Sequence, residues 1–305
     1  MCQVLINIDC INSVSDCLKT CSQFKSLIPN YINHFLTPDN IELSFFYRGE
    51  SSRKYVSQPS LFRLHDCNIE HQLINEVILA KPDEFINYES DIFSAIVKMQ
   101  HFGLPTRLLD ISKNPLVSLW FACQKNNFSG TDQDGKFIFI AGYPCLPNSN
   151  RAKILSYFAS NEYDHSINEC NIDRICSLRD QLIRLGVSLP YSNNEIDINN
   201  LNIYYQSTIC QDTIILPQYS NERIKMQQGA FIMFGNNSPI YPTKYVHSIE
   251  ESDPNGFDFY YSISYIPHES KQKILSELNE IGINESYLFP DLEHTISSIK
   301  NKYGI

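Results

Sequence analysis

Residues 100–123, QHFGLPTRLLDISKNPLVSLWFAC, set Gln100, His101, Thr106, Arg107, Asp110 and Asn114 directly against an apolar run. Arg107 and Asp110 flank two leucines, so both charges belong to a segment that otherwise prefers the interior. A charge so placed needs a partner: burying even a neutral polar group unpaired costs about 2–7 kcal/mol, and an ion more. This density of polar groups points to a polar site on the rim of a core. A second cluster lies upstream, where Tyr47-Arg48-Gly49 closes an apolar run and Arg53, Lys54 and Arg63 follow. Arginine offers a planar, permanently charged fork that can meet a phosphate or a ribose. The alternative is a salt bridge from Arg48 to a core-edge acid such as Asp110. A third cluster, Arg223 with Gln227-Gln228-Gly229, precedes the apolar AFIMF. There an amide can orient a ligand hydroxyl, or the glutamines simply cap a loop and Arg223 pairs along the strand. Strand alternation sends one of the two glutamines inward, and Gln228 is the one expected. His101 is as readily a structural histidine at a helix end as a catalytic one.

The elements that position these groups follow from apolar spacing and from Gly/Pro punctuation. Helical periodicity covers 13–36, and a turn follows at 38–40. The run 41–47 predicts a buried strand that ends at Arg48-Gly49, the glycine letting the chain turn or a ligand approach. Helices are expected over 69–86 and 90–101, with Pro82 marking an end or a kink in the first and Ser90 capping the second. Gly103 and Pro105 break the chain, and 106–110 predicts a short strand. Asn114 and Pro115 then supply the N-cap and first position of a helix that runs through Ala122. Downstream come strands at 137–143, 212–216, 230–234, 245–246 and 257–265, and a mostly helical stretch at 151–186. A polar tract spans 191–204. A final amphipathic helix covers 268–282, with Gly282 closing it. Trp120, Phe121 and the aromatic stripe at 257–265 are expected in the core.

Together these predict a single mixed α+β domain over residues 41–305, with flanking helices on a strongly twisted central sheet. Residues 1–40 form a helical N-terminal extension. With 43% hydrophobic and 19% charged residues among 305, a full core is available and global disorder is excluded. The net charge of -10 argues against a protein that grips nucleic acid mainly by neutralising phosphates. The start, MCQVLINIDCINS, lacks a basic segment followed by a long apolar one, so a cytoplasmic protein with no membrane partner is expected. The 10 cysteines contain no CxxC pair and read as reduced thiols filling the core. Cys17 and Cys21 have no matching His/Cys pair, and no metal is expected. GxSxG, HExxH, GxxxxGK[ST] and GxGxxG are all absent, which removes the commonest hydrolase, zincin, P-loop and Rossmann readings.

The block FFYRGESSRKYVSQPSLFR at 45–63, taken with 100–123, resembles the FRG domain, a bacterial domain named after an aromatic-Arg-Gly motif. Here that motif is Tyr47-Arg48-Gly49. NERIKMQQGAFI at 221–232 and IPHESKQKILSELNEIGINESYLFPDLE at 266–293 extend the resemblance over most of the chain. The order of blocks is in turn similar to that of arginine-type ADP-ribosyltransferases. That resemblance implies an ADP-ribosyltransferase-like fold with NAD as substrate. It implies catalytic roles for Arg48 on a first strand, for Thr106 at a hydroxyl position and for Gln228 where those enzymes carry a glutamate. Tyr47, Gly49, Gln100, His101, Arg107, Asp110, Asn114, Arg223 and Gln227 would border the nucleotide. The glutamine is a departure, because a carboxylate stabilises an oxocarbenium-like transition state better than a neutral amide does. Either glutamine suffices, or Asp110 or Glu222 supplies the charge, or the fold binds without transferring.

Function follows the same resemblance. The first reading is an NAD-dependent ADP-ribosyltransferase-like effector or toxin of a bacterial conflict (anti-phage) system. Its target would be RNA or protein, and it would have a neutralising partner protein. The alternative is a non-catalytic FRG module that binds a nucleotide or a partner protein. A nuclease-like effector ranks lower, since no paired-carboxylate metal motif occurs.

Overall fold

A computed structural model describes residues 10–28, 42–64, 68–126, 132–162, 172–188, 208–209, 211–235, 259–290 and 296. The expected turn at 38–40, the polar tract at 191–204 and the strand at 245–246 lie outside these residues. Six strands form one sheet, every pair antiparallel. They are β1 (Ser44–Glu50), β2 (Leu108–Ser112), β3 (Gly135–Gly142), β4 (Thr213–Ile215), β5 (Gly229–Met233) and β6 (Phe259–Ile266), in the order β4-β5-β2-β1-β3-β6. The helices are α1 (Val14–Leu27), α2 (Glu70–Ala80), α3 (Ile92–His101), α4 (Pro115–Ala122), α5 (Asn150–Ser160), α6 (Ile172–Arg184), α7 (Glu222–Met226), α8 (Lys271–Glu280) and α9 (Glu285–Leu288). The fold is thus mixed, with helices flanking a six-stranded antiparallel sheet. Among the described residues no helix is long and apolar enough to cross a membrane.

Alternation along the strands sorts the core. Phe45, Tyr47 and Gly49 of β1 meet α1 and α4, where Phe24 packs on Phe45 and Phe139 at 6.1 and 5.4 Å between ring centroids. The helices α2, α3 and α5 cover β2, β4 and β5, with Phe93 edge-on to Phe231 at 6.2 Å. Phe46, Leu109, Ile111, Ile138 and Ile232 are buried together in a third cluster with Phe62. The helix expected in the N-terminal extension packs into the sheet core: Cys17, Cys21 and Phe24 are buried against Tyr47, Phe137 and Phe139. The Ile11 N–H donates to the Tyr265 carbonyl at 2.9 Å. Cys123 lies in the same cluster, and burial pushes its thiol up to about 12, as expected for an inert core thiol.

Several boundaries differ from the sequence expectation. β1 does not end at Arg48-Gly49 but continues to Glu50, paired with β3 throughout. Gly49 serves neither a turn nor a ligand. A Cβ there would lie 1.7 Å from the Ser118 carbonyl oxygen and 2.7 Å from the Ala122 nitrogen, so the missing side chain lets α4 rest on the strand backbone. β2 starts at Leu108 instead of Thr106, because the Thr106 hydroxyl accepts the Leu108 N–H at 3.2 Å and holds the approach to the strand. Asp91, not Ser90, caps α3. Its carboxylate accepts the Ser94 N–H at 3.1 Å, while the Ser90 hydroxyl turns back to the Asn87 carbonyl at 2.8 Å. Asn114 and Pro115 open α4 as expected, and Gly282 at φ +84° closes the turn after α8.

One feature of the sheet shapes the site. β2 pairs with β5 over its whole length, and β1 with β3, yet β1 and β2 share the single register pair Tyr47↔Ser112. Past that pair the ladder between them stops, leaving Arg48–Glu50 unpaired to β2.

Replacing Gly49 with Ala is expected to cost about 3 kcal/mol or more, since the obstruction is helix backbone that cannot rotate away. Gly103→Ala, at φ +94° with nothing within 4 Å of the added methyl, is expected to cost about 1–2 kcal/mol from backbone strain alone. Urea denaturation of the two variants checks the order.

Candidate functional site

The Arg48 side chain spans the place where β1 and β2 part. Its Nε donates to Glu50 Oε1 at 2.9 Å and its Nη1 to the Asp110 carbonyl at 2.6 Å. Its acid partner is therefore Glu50, two residues along the same strand face, and not the Asp110 carboxylate. Glu50 is buried, and it also meets Lys136 Nζ at 2.6 Å and the Ser57 hydroxyl at 3.0 Å. Burial alone would raise its carboxyl, but Arg48 and Lys136 outweigh burial and hold it below the usual carboxylate range. Lys136 is itself buried and donates to the Tyr55 carbonyl at 2.5 Å. The Arg48 side chain remains 23% exposed, and among the described residues its Nη2 makes no hydrogen bond.

From Asp110 the network continues to α3. The exposed Asp110 carboxylate accepts Gln100 Nε2 at 3.1 Å, and the Gln100 carbonyl oxygen accepts the Thr106 hydroxyl. Arg48, Asp110, Gln100 and Thr106 thus form one hydrogen-bonded chain. Thr106 is fully buried, so its hydroxyl acts within the chain, behind Gln100.

Arg107 lies elsewhere. It is buried with Glu70, its Nε 2.6 Å and its backbone N–H 3.0 Å from the two Glu70 carboxylate oxygens. Burial pushes the Glu70 carboxyl up, and Arg107 pulls it back only in part. This pair joins the first turn of α2 to the start of β2, so the guanidinium is spent inside the fold and is not presented to a ligand. Tyr47, Gly49 and Asn114 are likewise scaffold: Tyr47 is a core residue, Gly49 lies under α4, and Asn114 Oδ1 accepts the Leu116 N–H at 3.0 Å. Burial raises the Tyr47 hydroxyl. His101 is exposed, edge-on to Phe102.

The third cluster does not join the others. Gly229 pairs with Ser112, so Gln227 and Gln228 lie past the Ser112 end of β2, whereas the Arg48 guanidinium reaches back to Asp110. Gln228, expected to point inward, is exposed at φ +46°, a left-handed residue between α7 and β5. Gln227 is the one tied down, its Nε2 donating to the Leu288 carbonyl at 3.1 Å. Arg223 stacks over Phe289 at 4.7 Å, and Trp120 and Phe121 contact the same ring. These residues clasp the segment after α8 to the sheet. One trio of described residues has ligand atoms within 4.8 Å of one another, Asp134, His268 and Glu269; His268 and Glu269 are exposed, and Arg53 already pairs with Asp134.

Sequence reasoning missed Glu50, Lys136 and Glu70. Glu50 directly follows the Arg-Gly pair, and strand alternation already sets it on the face of Arg48. Lys136 and Glu70 gave no such signal, because nothing local marks a lysine before an apolar strand or a glutamate in a first helical turn as buried.

Two outcomes follow from this charge arrangement. Glu70→Ala leaves Arg107 buried without its acid and is expected to cost about 3–5 kcal/mol by thermal or urea melts. Glu50 has a depressed folded-state pKa, so its contribution is fully present above the unfolded value near 4.5 and is lost as pH falls through the lower folded value. Glu50→Gln should therefore be less stable than wild type at pH 7, with the gap narrowing in melts taken below pH 4.5.

Neither a curated protein nor a solved structure matches the chain. The blocks at 221–232 and 266–293 fall outside the one stretch that a family model matches. That stretch, residues 43–130, holds β1, α2, α3, β2 and α4 and the whole Arg48–Asp110–Gln100–Thr106 chain, and it matches the family model of the FRG domain.

Proposed function

We propose that the FRG domain binds a phosphate-bearing nucleotide, NAD first among them, at the opening between β1 and β2. The observation that carries this is the Arg48 fork. Arg48, Lys136 and Glu50 form a trio of two cations and one carboxylate, which leaves one positive charge in excess. Two of the three charges are buried, so the excess is felt at the exposed member, and the unengaged Nη2 offers it to an anion. Glu50 and the Asp110 carbonyl fix the guanidinium in advance, so little side-chain entropy is lost on binding.

The finer reading keeps the ADP-ribosyltransferase-like effector. Asp110 is the acid that supports it, because its exposed carboxylate belongs to the residue whose carbonyl holds Arg48. In that role it would stabilise positive charge on the ribose as the bond to nicotinamide breaks, with a nucleophile of an RNA or protein target taking the ADP-ribosyl group. An anti-phage or toxin role and a neutralising partner come from the family resemblance. The placement of Gln227 and Gln228 away from Arg48 favours the second reading, a module that binds the nucleotide without cleaving it.

Thermal melts with and without NAD, together with an assay of nicotinamide release, separate these readings. NAD is expected to raise the melting temperature of wild type. Arg48→Ala is expected to lose that response at a cost in stability below the 3–5 kcal/mol of a broken buried pair, since Lys136 still compensates Glu50. Nicotinamide release that falls at least tenfold in Asp110→Asn, about 1.4 kcal/mol of transition-state stabilisation, supports transfer. A melting shift without release supports the binding module. Absence of any shift with NAD, ADP-ribose or ATP removes the nucleotide reading.

A further inference from the structure

The chain leaving β4, the first turn of α3 and one side of α5 enclose a cavity of 480 Å³ that shares no residue with the Arg48 network. That is within the range of small-molecule sites, about 300–1,000 Å³. Phe93 and Leu216 give it apolar wall, and Glu89, Asp91 and Lys153 bring charges of both signs to its lining. These charges do not cancel each other: among the described residues none of the three has an ion-pair partner. Among the described residues the Asp91 carboxylate accepts only its own helix's Ser94 N–H, and the Lys153 ammonium donates to the neutral Gly186 carbonyl at 3.0 Å. Ser156 in the same wall is 1% exposed, and among the described residues its hydroxyl finds only the Met233 sulfur, a weak acceptor, at 3.9 Å.

We propose that this cavity binds a small zwitterion with an apolar body, of the class of a free apolar amino acid or a dipeptide of apolar residues. The ligand's ammonium would face Glu89 and Asp91, its carboxylate Lys153 and Ser156, and its side chain Phe93 and Leu216. A phosphate ligand suits the cavity poorly, since two carboxylates oppose it. An uncharged apolar ligand would desolvate three charges without pairing any of them, which is costly. A zwitterion supplies a partner of each sign and covers the apolar wall between them.

Calorimetry and melting of the full chain with L-leucine and L-leucyl-L-phenylalanine at millimolar concentration test this. At least one of the two is expected to bind and raise the melting temperature. N-acetyl-leucyl-phenylalanine amide, which has the same body without either charge, is expected to bind at least tenfold more weakly. Lys153→Met and Glu89→Gln, the latter at an exposed side chain that makes no hydrogen bond or ion pair among the described residues, are each expected to weaken binding by about tenfold. No heat and no melting shift with either probe would overturn the proposal. So would equal binding of the blocked analogue, or unchanged affinity in a folded Glu89→Gln variant.

Discussion

The backbone of α4 rests directly on the backbone of β1 at Gly49, and most of the site follows from that contact. A helix lying so close covers that face of the strand at Gly49, and α1 covers the rest of it. Tyr47 is buried on the same face with Phe137 and Phe139. The neighbouring Arg48 and Glu50 alternate to the other face, where β1 and β2 have parted. A guanidinium reaching into that opening finds a main-chain carbonyl left without a ladder partner, and it takes it. The aromatic-Arg-Gly motif is therefore one packing solution: the aromatic anchors the strand, the glycine admits the helix, and the arginine is forced into the gap.

The interior of the domain carries an unusual load of charge, and each instance is resolved by a partner. Glu70 with Arg107 binds α2 to β2. Glu50 with Arg48 and Lys136 binds β1 to β3 and holds the loop at Tyr55 and Ser57. Lys271, buried in the first turn of α8, donates to the Ser51 and Gln124 carbonyls at 2.9 and 3.2 Å and meets Asp132 at 3.3 Å, joining the loop after β1 to the end of α4. Buried pairs of this kind add little net stability over apolar packing, but removing one partner is costly. They fix geometry, and the geometry they fix is that of the loops around Arg48.

The contrast between Arg48 and Arg107 shows how much context decides. Both are arginines beside apolar runs, and both suggest anion binding when taken as sequence. Arg107 meets a glutamate in the core and is consumed by it. Arg48 meets a glutamate that a lysine already compensates, so part of its charge and one edge of its fork remain available. The glutamine pair makes the same point from the other side. A Gln-Gln-Gly at a strand start looks like a ligand-facing wall, yet one amide anchors the Leu288 segment and the other stands in solvent at a left-handed turn.

The sequence by itself determined the local elements, because apolar period, proline and Asx caps act over a few residues. The helix opened by Asn114 and Pro115, the break at Gly103 and the strands expected at 137–143 and 257–265, found at Gly135–Gly142 and Phe259–Ile266, were legible for that reason. It also set Gln100, Thr106, Arg107 and Asp110 in one polar stretch against an apolar run, without telling that Arg107 turns to Glu70 while Gln100, Thr106 and Asp110 link to Arg48. Only the tertiary structure decided which ion pairs with which, because a charge partner is chosen across the sheet by register and burial and leaves no local trace. Glu70 for Arg107 and Lys136 for Glu50 are such choices. The single β1–β2 register pair is another: strand residues dictate that they pair, but where a ladder stops depends on the twist and packing of the two halves it joins.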